Sequence, residues 1–331
     1  MPADPVAPDV RRLVLPTPYA VGPVNAYLLL GSEPTLVDAG PATPEGVETL
    51  LAGLAAAGME PGDVRRVVVT HAHPDHYGGL ALLQEAGWEV AAHPRALLWM
   101  SGDPVLLEAR VSFYLGFLHR AGVPDRVLRV MERQGLGLRQ YPRGVSVHRF
   151  LEEGDLVPAG DDLLVVHHTP GHASSALCLE RPRDGLLFSG DTLLGHISSN
   201  AVVEPVDSWS GERRHSLPEY LRTLAHLQTM AVRLVLPGHG DPICDPGELV
   251  SRRLKFYELR RDRVLDLLRA GPASVYALSL SLFPDLAEDQ LFLALSETVG
   301  YLDLLEEEGL VGHTAHAGVH MYHRIPGGAA V

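Results

Sequence analysis

Short apolar runs alternate with turn signals along the first 70 residues. Residues 25–31 (NAYLLLG) and 35–38 (TLVD) are bounded by Gly and Pro, which predicts the two strands of a hairpin. Thr43-Pro44-Glu45 then supplies an N-cap, a proline at the first helical position and an acid on the helix dipole. Val47, Leu50, Leu51 and Leu54 follow at helical spacing. Residues 65–70 (RRVVVT) read as a buried strand that runs straight into His71. Strand patterns return over 163–190 (LLVVHH, ALCLE, GLLFSG) and over 233–237 (RLVLP), which ends at Gly238-His239-Gly240. Between them, Ser216-Leu217-Pro218-Glu219 is a Ser-x-x-Glu pattern that predicts a capping box and a helix to about residue 229.

Two stretches differ in period. In 94–148, Leu106, Ala109, Phe113 and Phe117 step by three and four, and Gly122, Pro124, Gly135, Gly137 and Pro142 break the segment into pieces. It reads as a helical, lid-like insertion able to cover a site. After residue 250 the composition shifts. Residues 252–269 are helical with seven basic and three acidic residues, a net +4. Two more helical patterns follow over 273–311, one carrying Leu291, Leu295, Thr298, Leu302 and Leu305, and 319–325 reads as a wing-like strand. The expected division is a domain over 1–250 and a winged-helix-like domain over 251–331.

Composition narrows the class. The chain has 331 residues, 46% of them hydrophobic, enough for a large core and a smaller appended one. Cys178 and Cys244 are the only cysteines, too few for a disulfide scaffold or a Cys-based zinc module and in keeping with a reducing cytoplasm. No basic-then-apolar leader opens the sequence and no apolar run approaches a membrane span, so a cytoplasmic protein without a membrane partner is expected. The net charge of -14 disfavours general nucleic-acid binding. The 17 histidines stand out, because His is the commonest metal ligand.

The chemistry concentrates in Thr70-His71-Ala72-His73-Pro74-Asp75-His76-Tyr77-Gly78-Gly79. Alternation along a strand lets His71 and His73 point the same way, and a turn at Pro74 lets Asp75 and His76 converge on them. Imidazoles and a carboxylate suit zinc, with bonds of ~2.0–2.2 Å. Three more single residues sit on Gly-containing turns at strand ends: His172 in Thr169-Pro170-Gly171-His172, Asp191 in Ser189-Gly190-Asp191-Thr192, and His239. Each alone is an ordinary turn; together, downstream of the first motif, they form one signal.

With H-x-H-x-D-H followed by single His, Asp and His, the chain resembles the metallo-beta-lactamase superfamily over roughly residues 10–245. That resemblance implies an α/β fold, an αββα sandwich holding two metal ions, usually Zn(2+). It implies that His71, His73 and His172 bind the first ion, that Asp75, His76 and His239 bind the second, and that Asp191 bridges them. Two dications sharing a water lower its pKa toward neutrality, so a bridging hydroxide is the nucleophile, and the metals polarise the attacked group. Asp75 is then the catalytic residue that orients the hydroxide and shuttles a proton. Diiron flavoprotein relatives typically carry Glu at the place of His73, which disfavours oxygen reduction here. Residues 16–30, the insertion and 189–199 (SGDTLLGHISS) are similar to hydrolases of the glyoxalase II and beta-lactamase-like protein 2 neighbourhood, some of which cleave thioesters and some single-stranded RNA.

The expected function is therefore dinuclear hydrolysis of a small thioester or ester, with an endoribonuclease as the alternative. Residues 270–331 hold one arginine (Arg324) against eight acids, the wrong sign for phosphates, so the C-terminal part is expected to pack on the main domain, cap the site or form a homodimer. A small molecule is the expected partner. Beta-lactam hydrolysis fits poorly with a cytoplasmic setting and a bulky insertion. Tyr77 and His196 are candidate hydrogen-bond donors to substrate. His167 and His168 read first as strand residues, with one of them standing behind a metal ligand as the alternative, and His93 reads as a core or turn residue, with facing the site as the alternative. Cys178 reads as a buried strand residue and Cys244 as a bystander. His313, His316, His320 and His323 read as a solvated wing. Trp99, Met100, Phe113, Tyr114 and Phe117 read as the insertion's own core, the sharper alternative being an acyl-chain groove.

Overall fold

The computed structural model describes residues 4–133, 141–142, 144–207, 211–287 and 290–326. Backbone contacts divide the chain into two compact units. The first gathers Met1–Asp103, Gln140–Ser199 and Gln228–Leu249, and the second gathers Pro104–Arg139, Asn200–Leu227 and Val250–Val331. This division is more interleaved than a single boundary after residue 250.

The first unit is built on two sheets. Strands β1 (Asp4–Ala7), β2 (Val10–Leu15), β3 (Val24–Leu29), β4 (Thr35–Val37), β5 (Arg66–Val68), β6 (Glu89–Ala92) and β7 (Arg149–Phe150) lie in chain order in one sheet. The predicted β3–β4 hairpin is antiparallel, whereas β4, β5, β6 and β7 pair in parallel. Helix α1 (Pro44–Ala56) makes the crossover from β4 to β5. It starts where the sequence signals, with the Thr43 hydroxyl accepting from the Gly46 N–H. The second sheet has the order β12-β11-β10-β9-β8, from β8 (Leu156–Ala159), β9 (Asp162–His168), β10 (Leu177–Arg181), β11 (Leu186–Gly190) and β12 (Leu234–Pro237). Val10, Tyr27, Leu29, Val37 and Val68 of the first sheet share one buried cluster with Leu164, Val166, Leu179, Phe188 and Leu236 of the second. These strands present apolar side chains to that layer, and their burial, each worth roughly 1.5–3 kcal/mol, holds the sandwich together. Two one-turn helices, α2 (Pro74–Tyr77) and α3 (Leu97–Met100), complete the unit.

In the second unit, α4 (Pro104–Arg120) and α5 (Asp125–Arg133) form from the 94–148 segment. Phe113, Tyr114 and Phe117 are buried, with Tyr114 and Phe117 edge-on to Phe292. Their packing reaches Phe292, outside the 94–148 segment, so they are core residues of the larger unit and not of the insertion alone, and Phe113 also borders a cavity of about 690 Å³. Helices α6 (Ser216–Thr229) and α7 (Pro246–Leu267) carry the chain across the division. The predicted capping box does not form. Ser216 is already helical and its hydroxyl donates to Val202 O at 2.8 Å, while the Glu219 carboxylate pairs with Arg214. Tertiary partners outcompete the local cap. Helices α8 (Val275–Leu282) and α9 (Leu291–Glu307) and the hairpin of β13 (Val311–His316) with β14 (Val319–Arg324) follow. Asp303 of α9, almost fully buried, is held by both terminal nitrogens of Arg213. Among the described residues no helix is long and apolar enough to cross a membrane.

Candidate metal centre

Each chemically interesting side chain leaves the end of a strand in the first unit. His71, Ala72 and His73 continue from β5, His172 lies in the β9–β10 connection, Asp191 follows β11 and His239 follows β12. Pro74 opens α2, whose single turn swings Asp75 and His76 back over the same point. Three groups result whose ligand atoms all lie within 4.8 Å of one another: His71, His73 and His172; His71, His76 and Asp191; and Asp75, His76 and His239.

The first group is tight. His73 Nδ1 is 3.0 Å from His71 Nε2 and 3.0 Å from His172 Nε2. A tetrahedral ion with ~2.0–2.1 Å bonds would set its ligands roughly 3.3 Å apart, so three ring nitrogens this close converge on one metal-sized point. In the second group, His239 Nε2 is 3.3 Å from Asp75 Oδ2. Asp191 lies between the groups: Oδ1 is 3.4 Å from His76 Nε2, and Oδ2 is 3.7 Å from His172 Nε2 and 3.6 Å from His239 Nε2. His76 Nε2, His239 Nε2 and Asp191 Oδ1 are buried without a hydrogen bond to any described group. Leaving a buried polar atom unsatisfied costs ~1–3 kcal/mol, and these three atoms are the ones a cation would satisfy. The residues present fit divalent metal.

The far sides of the rings are occupied. Asp38, missed by sequence reasoning, takes the His76 Nδ1–H at 2.7 Å, the Thr70 hydroxyl at 2.8 Å and the Thr70 N–H at 2.8 Å. The Thr70 hydroxyl in turn lies 3.1 Å from His71 Nδ1. His239 Nδ1 donates to Pro23 O at 2.8 Å. Such carboxylate and carbonyl partners fix the tautomer and leave Nε2 free to bind metal. Asp38 sits at φ 63, a left-handed conformation that only a few non-glycine residues adopt. The one trace in the sequence was an Asp closing the TLVD strand. Glycine is required beside the site as well: a Cβ at Gly238 would stand 2.4 Å from Asp191 Oδ1 and 2.7 Å from His76 Cε1.

Electrostatics follow from burial and from this crowding. Burial, reinforced by His76 and His73, pushes His71 well below the usual imidazole range. Burial and the neighbouring His172 take His73 down to about 3. For His76 burial acts the same way, but Asp191, Asp38 and Asp75 outweigh it and hold its pKa well above normal. Burial would raise Asp75 and Asp191, yet His76 and His239 keep both below the ordinary carboxylate range.

Other expected residues divide. Tyr77 is fully buried and its hydroxyl donates to Pro142 O at 2.7 Å, so it braces the motif and is not exposed to substrate. His196 is exposed and its ring lies against Gly240, beside His239. Cys178 is buried with its thiol pushed up to about 11 by desolvation, and Cys244 is exposed. His313 and His316 are exposed on the β13–β14 hairpin, and no metal-sized group among the described residues includes His313, His316, His320 or His323.

A family model described as "Metallo-beta-lactamase superfamily" matches residues 19–239. The chain is 33% identical over 300 residues, 91% of its length and 93% of the relative's, to "Probable metallo-hydrolase YqjP" of Bacillus subtilis (strain 168). It is 34% identical to "Acyl-coenzyme A thioesterase MBLAC2" of Gallus gallus, over 51% of this chain and 57% of that one. The crystal structure of a metallo-beta-lactamase family protein from Thermus thermophilus superposes with a TM-score of 0.81 at 28% identity, covering 97% of this chain and 100% of that one. The chain belongs to the metallo-beta-lactamase superfamily and is a hydrolase.

Proposed function

We propose that the protein is a dinuclear, metal-dependent thioesterase, acting on a small acyl thioester such as an acyl-CoA. The observation that carries this reading is the pair of ligand groups, His71/His73/His172 and Asp75/His76/His239, with Asp191 placed between them. When bound, two divalent ions such as Zn(2+) supply an activated water and a Lewis acid for the attacked carbonyl. The chain's own residues do the rest. Asp38, Thr70 and Pro23 O hold the rings with Nε2 inward. Asp75, kept ionised at neutral pH, accepts a proton at a carboxylate oxygen and orients the attacking water. His196, exposed next to His239, is the proposed donor to substrate. The name of the Gallus gallus relative supports the acyl-thioester class.

The match over residues 19–239 supports a catalytic domain within 1–250. The proposed winged-helix-like part over 251–331, helices followed by a hairpin, groups in one compact unit with 104–139 and 200–227. The acid excess of residues 270–331, eight acids against Arg324, disfavours the RNA-cleaving alternative. From that excess Glu308 pairs with Arg261 of α7. Two free thiols support the expected reducing, cytoplasmic setting. The test is a substrate panel with metal-loaded protein: acyl-CoA, acyl-glutathione, lactones, phosphodiesters and short single-stranded RNA. An acyl thioester should give the highest kcat/KM; preference for RNA or a phosphodiester would overturn the assignment.

A further inference from the structure

The loop that carries His172 is gripped by a pair of histidines with no ligand role. His93 follows the end of β6 and His168 ends β9, so the two come from different sheets. Their rings stack, with centroids 4.1 Å apart and planes 12° from parallel. His93 is 8% exposed, and its Nδ1 accepts the Arg95 N–H at 3.2 Å, so that nitrogen carries no proton. His168 Nε2 lies 3.0 Å from Ser174 O. A carbonyl only accepts, so Nε2 of His168 is the donor. Ser174 stands just past His172 in the same connection, and the next hydroxyl, Ser175 Oγ, accepts the N–H of Ala72 at 3.2 Å. Ala72 is the residue between His71 and His73. The loop is therefore fastened to the His-x-His segment at Ser175 and to the end of β9 at Ser174.

We infer that His168, its plane fixed by His93, is a positioning residue: by donating to Ser174 O it sets the approach of His172 Nε2 to the point shared with His73 Nδ1. The inference rests on the metal centre proposed above and is selective. The other group stands on α2 and on the end of β12, and it has its own supports in Asp38 and Pro23 O. Groups hydrogen-bonded to a ligand ring are worth roughly 10–100-fold in metal affinity; His168 acts one contact further out, through the Ser174 backbone, so an effect of about 10-fold is expected.

The test is a Zn(2+) titration of metal-free protein against a competing chromophoric chelator, with no substrate present. The wild type should show two binding steps, and His172→Ala should identify the step belonging to the first group. His168→Phe keeps a ring on His93 but loses the donor; it should weaken that step about 10-fold and leave the other unchanged. His168→Gln, whose amide N–H can reach Ser174 O, should recover most of the loss. His93→Ala should weaken the same step, and thermal unfolding of each metal-free variant checks that the fold is intact. Wild-type affinity in His168→Phe, equal weakening of both steps, or a Gln variant no better than Phe would overturn the inference. A wild type that binds no metal would instead refute the metal centre itself.

Discussion

Asp38→Asn changes one buried oxygen and isolates the support of His76. Asp38 is 2% exposed and accepts three hydrogen bonds, two of them at Oδ2 from His76 Nδ1 and the Thr70 hydroxyl. Asparagine tolerates φ 63, so the backbone stays as it is. It offers one acceptor oxygen. If that oxygen keeps the Thr70 N–H, the amide N–H₂ faces His76 Nδ1, and the one proton that His76 must keep when it binds metal is forced onto Nε2, the atom aimed at the Asp75/His76/His239 group. If the amide flips, its N–H₂ opposes the Thr70 N–H. Losing a hydrogen bond to a charged group costs ~1.5–3 kcal/mol. Loss of an outer partner of a metal ligand costs roughly 10–100-fold in affinity, or about 1.4–2.8 kcal/mol. The two figures agree. A chelator-competition titration should therefore show the second group weakened by that factor, with kcat/KM for thioester falling in parallel. Wild-type affinity and kcat/KM in a folded Asp38→Asn protein would refute the reasoning.

Gly238→Ala places a methyl 2.4 Å from Asp191 Oδ1, so Asp191 must move, and kcat/KM should fall by ~10²-fold or more while circular dichroism stays unchanged. In metal-free protein, burial holds His73 near 3, below its unfolded value of about 6.5, so its contribution to stability is whole above ~6.5 and is lost as pH falls toward 3. Denaturant titrations of the metal-free protein across that range, compared with His73→Ala, should show the wild type losing more stability on acidification. Arg213→Ala takes both hydrogen bonds from the buried Asp303 carboxylate and leaves His215, 4.0 Å away, as its facing cation; thermal unfolding should register a loss of about 3–5 kcal/mol. Phe117→Ala empties a packed site beside Phe292 and should cost about 3–5 kcal/mol in a denaturant titration, with no change in the ranking of acyl chain lengths.

Strand and helix positions were legible because period and punctuation agree with packing: the buried β3, the Thr43 cap of α1, and the runs that become β9–β12 all form where the pattern places them. The histidine and aspartate set was legible because each member follows an apolar strand on a Gly- or Pro-containing turn. Asp38 was not, since a lone Asp at a strand end is an ordinary turn residue until the parallel pairing of β4 with β5 brings it against Thr70. Ser216 and Tyr77 were misjudged for the same reason. Their local patterns permit a cap and a substrate donor, but distant carbonyls, Val202 O and Pro142 O, claim the hydroxyls. The stacking of His93 on His168 joins strands from two sheets far apart in sequence, which no spacing along the chain announces.

The most direct test of the central claim is the initial rate of thiol release from an acyl-CoA as divalent metal is titrated into metal-free protein. The rate should rise from background to a plateau when both ligand groups are filled, and His73→Ala should stay at background under the same additions. Thioester hydrolysis that is independent of metal, or a protein with both groups filled that releases no thiol, would contradict it.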